Sequence, residues 1–206
     1  MKKYMVNEQG RSMIEMLGVL AIVGVLSVSG IAGYSKAMGK FKISKAMDQV
    51  STISSNIKTM FASSGTYNDL IDTASTSSAV VYELGLFPEE MVKSCSGSSA
   101  VKDAGGTGNT ATCVQNGLNG KAWITTVTTA TASSFKLNFD GLSKEACTAI
   151  AGSDWGGASG FKGLTVSNGT ASATVLPTDT AESIFTKTET GCACTGTNCT
   201  AVWEFF

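Results

Sequence analysis

The chain has 206 residues, 15 Lys and Arg against 16 Asp and Glu, and no histidine. The near-neutral balance excludes a basic nucleic-acid binder, and 43% hydrophobic residues with only 15% charged ones exclude a charge-rich disordered chain. Without imidazole there is no histidine base, no Ser-His or Cys-His nucleophile pair and no metal site built on histidine; the length allows one domain with an appendage.

The hydrophobicity is local. Residues 1–10, MKKYMVNEQG, make a short polar leader with Lys2 and Lys3 that ends in Gly10. From Ser12 to Tyr34 the sequence SMIEMLGVLAIVGVLSVSGIAGY carries one charge, Glu15. At about 1.5 Å per residue a helix of this length crosses a hydrocarbon core of about 30 Å. A secretory signal has a shorter apolar core, of about 7–15 residues, and no acid within it. An ionisable group inside a membrane segment costs roughly 2.5–3.5 kcal/mol at the helix centre and less near an end. Glu15 therefore either snorkels to the headgroups or meets a positive partner at a defined place. Gly18, Gly24, Gly30, Gly33 and Gly39, with Ser27 and Ser29 among them, fit two readings. One is close helix packing through small residues; the other is a segment, about 24–33, that loosens when subunits leave the bilayer.

The flanking charges conflict with an outward-facing head. Lys36, Lys40, Lys42 and Lys45 follow the run while Lys2, Lys3 and Arg11 precede it, a distribution that places the C-terminal part inside the cell. The cysteines and the leader argue for the outside, and long domains translocate regardless of flanking charge.

Beyond Tyr34 the helix is expected to continue, because no proline occurs before Pro88. Ile43, Met47, Val50, Ile53, Ile57 and Met60 or Phe61 recur at three- and four-residue steps, an amphipathic stripe facing a core. The helix is predicted from about Ser12 to Ala62, ending near Ser63-Ser64-Gly65, its first half an anchor and its second half a spine. Further along, residues 80–86 suggest a short helix, Pro88 a turn, and 89–92 another helical turn. Residues 122–128 and 134–139 alternate as strands. Residues 142–150 look helical with Ser143 as N-cap, and 161–166, 173–176 and 201–206 complete the strands. Antiparallel strands laid on one long helix make an α+β domain.

Six cysteines, Cys95, Cys113, Cys147, Cys192, Cys194 and Cys199, suggest three disulfides in a domain outside the cytosol, with 15 connectivities open. The cluster at 192–199 is also a conceivable soft-metal binder, but one such cluster without histidine argues against a metal, and no cofactor is expected. Gly105-Gly106-Thr107-Gly108 and Gly156-Gly157 lack the strand-before-helix context of a phosphate loop. Asp103, Asp154 and Asp179 read as solvated charges rather than a catalytic pair, so no enzyme is expected.

Gly10, the cut-like junction to Arg11, and Glu15 as the fifth residue after the Gly stand at the head of the apolar run. In this arrangement the sequence resembles the type IV pilins. The resemblance implies that a membrane-bound prepilin peptidase cuts between Gly10 and Arg11 and methylates the new amino terminus. It makes Glu15 the fifth mature residue. The first mature residue of that family is usually apolar, and here it is Arg11. Cleavage creates an α-amino group of reference pKa about 7.7–8.0. Glu15 of one chain would neutralise that amine on its neighbour, with Arg11 adding a second positive charge, and this pairing fixes axial register more than it adds stability.

Residues 85–92 (GLFPEEMV), 120–124 (GKAWI), 139–147 (FDGLSKEAC) and Ala193-Cys194 are similar, in this order, to segments of the type IVb subgroup. The resemblance implies a Cys147–Cys194 disulfide; beyond the resemblance, Cys95–Cys113 would then close a local loop and leave Cys192–Cys199. It also implies a pilin fold divided into a leader (1–10), a transmembrane and polymerisation half-helix (11–35), an amphipathic half-helix (36–63) and a disulfide-stabilised head (64–206). The implied function is structural: a subunit held in the bacterial inner membrane, then polymerised with copies of itself into an extracellular filament for adhesion, aggregation or motility. Its partners would be the prepilin peptidase, the assembly machinery of the inner membrane and the membrane itself. A minor pilin or a type II secretion pseudopilin is the near alternative, and a membrane-tethered monomeric adhesin the distant one.

Overall fold

The computed structural model describes residues 13–67, 70, 84–94, 112–126, 133–158 and 160–206, in two compact units, one ending at Phe41 and one beginning at Lys42. Helix α1, Met13–Phe61, supplies the whole described part of the first unit and enters the second. No proline interrupts its 49 residues. It stops where expected: Ser64 N–H bonds back to the Phe61 carbonyl at 3.0 Å, and Gly65 takes φ +64°, a left-handed value that glycine adopts without a Cβ penalty.

In the second unit α1 buries Ile43, Ala46, Val50, Ile53, Ile57 and Phe61, with Met47 packed partly against the same core. Of the two alternatives for the stripe's last position, Phe61 is inside and Met60 is 42% exposed. A 3-10 turn at Glu89–Met91 follows Pro88, then strand β1 (Val92–Ser94), which pairs with β2 (Thr112–Val114). The proposed helix over 80–86 falls largely outside the described residues, where only the Leu84-Gly85 turn is described. The main sheet contains β3 (Ala122–Thr126), β4 (Phe135–Leu142), β5 (Phe161–Ser167), β6 (Ser172–Val175) and β7 (Cys199–Phe205) in the order β3-β4-β7-β5-β6, all antiparallel. Helix α2 (Lys144–Ala151) starts at Ser143, whose hydroxyl accepts from Ala146 N–H at 3.2 Å as the N-cap reading requires.

Alternation on β7 sets the layers. Cys199, Ala201, Trp203 and Phe205 are buried, while Thr200, Val202 and Glu204 are partly exposed on the other face. The buried face carries a ring cluster: Phe135 on Phe205 at 5.5 Å, Phe139 against Trp203 at 5.2 Å and Trp155 against Trp203 at 5.5 Å. Tyr67 bridges this cluster to α1, 5.9 Å from Phe61 and 5.0 Å from Phe135. Offset and edge-on ring pairs of this kind add roughly 0.5–1.5 kcal/mol beyond their buried area.

Two features depart from expectation. Helix α3, Ala181–Gly191, occupies a Thr-rich stretch with no predicted element. Threonine is a poor helix former because its hydroxyl competes for backbone groups. Here Thr186, Thr188 and Thr190 each donate to the carbonyl four residues back, so those hydroxyls are satisfied within the helix, and Thr180 caps its start.

The disulfides are the second correction. Cys147 pairs with Cys192 and Cys194 with Cys199, each with Cα atoms 5.6 Å apart, in place of Cys147–Cys194 and Cys192–Cys199. The reason is the end of α3. Cys192 is its C-cap, its N–H bonded to the Thr188 carbonyl at 2.8 Å, and its side chain is buried with that of Cys147. Cys194 lies two residues into the following loop, where it reaches Cys199 at the head of β7. Of the expected Cys95–Cys113 pair, Cys113 stands in the middle of β2, opposite Lys93, and Cys95 lies outside the described residues.

Candidate functional site

Every residue from Met13 to Ala37 is exposed, and the most apolar window of α1 has mean hydropathy 2.2 with 0% of it buried. Leu17, Leu20 and Ile22 are each more than 60% exposed, on different sides of the helix. A helix apolar all round is covered either by lipid or by other protein, and no described residue of this chain covers it. Its polar exceptions are neutralised locally: Ser27 donates to the Val23 carbonyl at 2.7 Å and Ser29 to the Val25 carbonyl at 2.9 Å. A Cβ added at Gly18, Gly24, Gly30, Gly33 or Gly39 would meet nothing within 4 Å, so no contact inside the chain requires these glycines. Both readings of them place their use outside the single subunit, and the helix is continuous through 24–33.

Glu15 is exposed in the first turn of α1, where the helix dipole favours a negative charge. It makes no ion pair with a described residue. Gly10 and Arg11 lie outside the described residues.

In the second unit a polar latch fastens α1 to the head. Gln49, 4% exposed on the core side of the helix, accepts from Gly117 N–H at 2.8 Å and donates to Glu90 at 2.9 Å. Lys45 closes the cluster with a 2.9 Å ion pair to Glu90, and its hydrogen bond, with that of Gln49, holds the Glu90 carboxyl below its ordinary pKa. Asn116, also buried, organises the loop that the latch grips. Its Oδ1 accepts from Leu118 and Gly120 N–H, and its Nδ2 donates to the Lys121 and Asp140 carbonyls. Backbones meet here: a Cβ on Gly120 would lie 1.8 Å from the Asp140 oxygen. Sequence reasoning passed over both residues. The one signal available was Gln49 itself, a polar residue among the apolar positions of a core-facing stripe.

The outer sheet face holds a second polar cluster. Glu204 on β7 is 2.6 Å from Lys162 and 3.7 Å from Lys136, and accepts from Ser134 at 3.2 Å. Burial raises the carboxyl pKa, but the Lys162 hydrogen bond, the two lysine charges and Ser134 together outweigh it, leaving the group below its ordinary value. Asp179 accepts from Leu176 N–H, Lys187 and Ser183 and so fixes the entry to α3; Asp154 accepts from Gly156 N–H in a turn. Both hold backbone. Asp103 is outside the described residues. Cys147, Cys192, Cys194 and Cys199 are all in disulfides, and among the described residues no group of three or more Cys, Asp or Glu side chains is placed to hold a metal.

The chain matches the PilS N-terminal family over residues 40–204, a stretch that takes in the second half of α1 and nearly all of the head. No curated protein matches it. Among solved structures it is similar to the crystal structure of a type IV b pilin from Salmonella typhi, 14% identical, with 78% of this chain and 96% of that one covered and a TM-score of 0.47. The chain belongs to the PilS family of type IV pilins, and its long N-terminal helix over an antiparallel five-stranded sheet is the α+β pilin architecture.

Proposed function

We propose that this pilus subunit is made with a leader that a prepilin peptidase removes between Gly10 and Arg11, methylating Arg11. The mature chain is stored in the inner membrane through residues 11–35 and handed by the membrane assembly machinery to a growing extracellular filament of its own copies. The filament serves adhesion, aggregation or motility, and the role of the subunit is structural rather than enzymatic. The observation that carries this reading is the first half of α1, apolar on all sides and bare on all sides. Lipid covers such a helix in the stored state and neighbouring helices cover it in the filament. Glu15, the one acid in that surface, pairs with the freed amine of the subunit beside it.

Glu15→Val tests the proposal. Removing one partner of a buried charge pair costs about 3–5 kcal/mol, repeated at every addition step, which lowers each step by more than about a hundredfold. Leader removal and membrane levels stay normal while filaments sheared from cells making only the variant fall to few or none. Wild-type filament yield from that strain would leave a tethered monomer as the better description.

A further inference from the structure

We infer that Lys36 and Lys40 form a clamp for anionic phospholipid headgroups on the outer surface of the membrane that stores the subunit. The inference rests on the membrane-stored state proposed above and adds to it the chemistry of the surface that the helix meets. Met13 and Tyr34 are separated by about 32 Å of helix, close to the hydrocarbon thickness of about 30 Å. With Met13 at one boundary, the exposed ring of Tyr34 stands at the other, the level at which tyrosine is enriched in membrane proteins. Lys36 and Lys40 follow within about 10 Å, in or just beyond the headgroup layer, which long lysine stems reach by snorkelling. They are four residues apart and therefore share one helix face.

Both lysines are exposed, and neither enters an ion pair with a described residue. Lys45, further along the same helix, is by contrast neutralised by Glu90. Two adjacent ammonium groups with no ion-pair partner among the described residues, at headgroup depth, are complementary to phosphodiesters that carry net negative charge. A zwitterionic lipid is a weaker partner, because its own cation competes for the phosphate. Each lysine near an anionic surface favours binding by roughly fivefold. This use also accounts for basic residues on the side of the apolar run where the orientation rule disfavours them.

The test uses the full chain in detergent micelles doped with equal phosphatidylglycerol and phosphatidylcholine, with bound lipid counted by native mass spectrometry. The wild-type chain should retain phosphatidylglycerol over phosphatidylcholine by at least about fivefold. Lys36→Gln/Lys40→Gln should bring the ratio near parity, and Lys36→Arg/Lys40→Arg should keep the preference. Parity in the wild type, or an unchanged preference in the glutamine variant, would overturn the clamp. Carbonate extraction of cell membranes separates the two readings. Release of the wild-type chain by carbonate would overturn membrane storage and the clamp with it, whereas a retained chain showing lipid parity overturns the clamp alone.

Discussion

The two disulfides among the described residues differ in the length of chain they close, and removing each in turn should separate them. Cys147–Cys192 spans a sequence separation of 45 residues and ties α2 to the end of α3; Cys194–Cys199 spans 5. In the chain-entropy treatment these loops correspond to about 4 and about 2 kcal/mol of stabilisation through the unfolded state. Cys147 and Cys192 are 0% and 1% exposed, so Cys147→Ala/Cys192→Ala also leaves a small cavity, adding about 1 kcal/mol. Alanine is preferred to serine here, since a buried hydroxyl would add an unpaired polar group. Guanidinium unfolding of the purified subunit reads both variants, with Trp155 and Trp203, packed 5.5 Å apart in the core, as fluorescent reporters. With a slope of roughly 4 kcal/mol per molar, the midpoint should drop by about 1 M or more for Cys147→Ala/Cys192→Ala and by about half as much for Cys194→Ala/Cys199→Ala, where Cys199 is also buried. A Cys194→Ala/Cys199→Ala variant as destabilised as Cys147→Ala/Cys192→Ala would refute the reasoning.

Glu204→Gln should remove an acid-dependent part of stability. The folded carboxyl titrates below its ordinary value, so its stabilisation is fully present above about pH 4.5 and is lost as pH falls through the depressed folded pKa. Wild type and variant melting temperatures should therefore draw together as pH falls below about 4.5, and a gap that does not narrow at all in acid would count against the lysine-flanked geometry. Asn116→Ala strips four hydrogen bonds from the loop at 116–121 and should cost about 2–4 kcal/mol in the same unfolding assay; a loss under about 0.5 kcal/mol would show that water replaces the side chain without penalty.

Local chemistry decided what was legible. Helix α1 could be read because Ile43, Val50, Ile53 and Ile57 hold one period over a proline-free stretch, and α2 because Ser143 announces its start. Strands β4 and β5 show through the alternation of apolar and polar residues in Phe135-Lys136-Leu137-Asn138-Phe139 and Leu164-Thr165-Val166-Ser167. Helix α3 did not show, since its threonines are helical only through hydroxyl bonds that depend on the helix already existing. The disulfide partners were lost with it: which cysteine of Cys192 and Cys194 faces α2 is set by where α3 ends. The latch joins Gln49 to Gly117 across 68 positions, a contact no local pattern carries. Gly10, Arg11 and Glu15 were conspicuous by spacing, and the cleavage and subunit pairing proposed for them lie beyond what one folded chain displays.

The position of β7 between β4 and β5 has a consequence for the order of folding. β3 with β4 and β5 with β6 form two local hairpins, but neither hairpin bonds to the other, and each leaves an open edge. Those edges remain available for mispairing until residues 199–205 emerge and insert between them. The sheet therefore closes only after nearly the whole head has been made. The same order leaves the unpaired edges open to mispairing and proteolysis for as long as synthesis of the head takes.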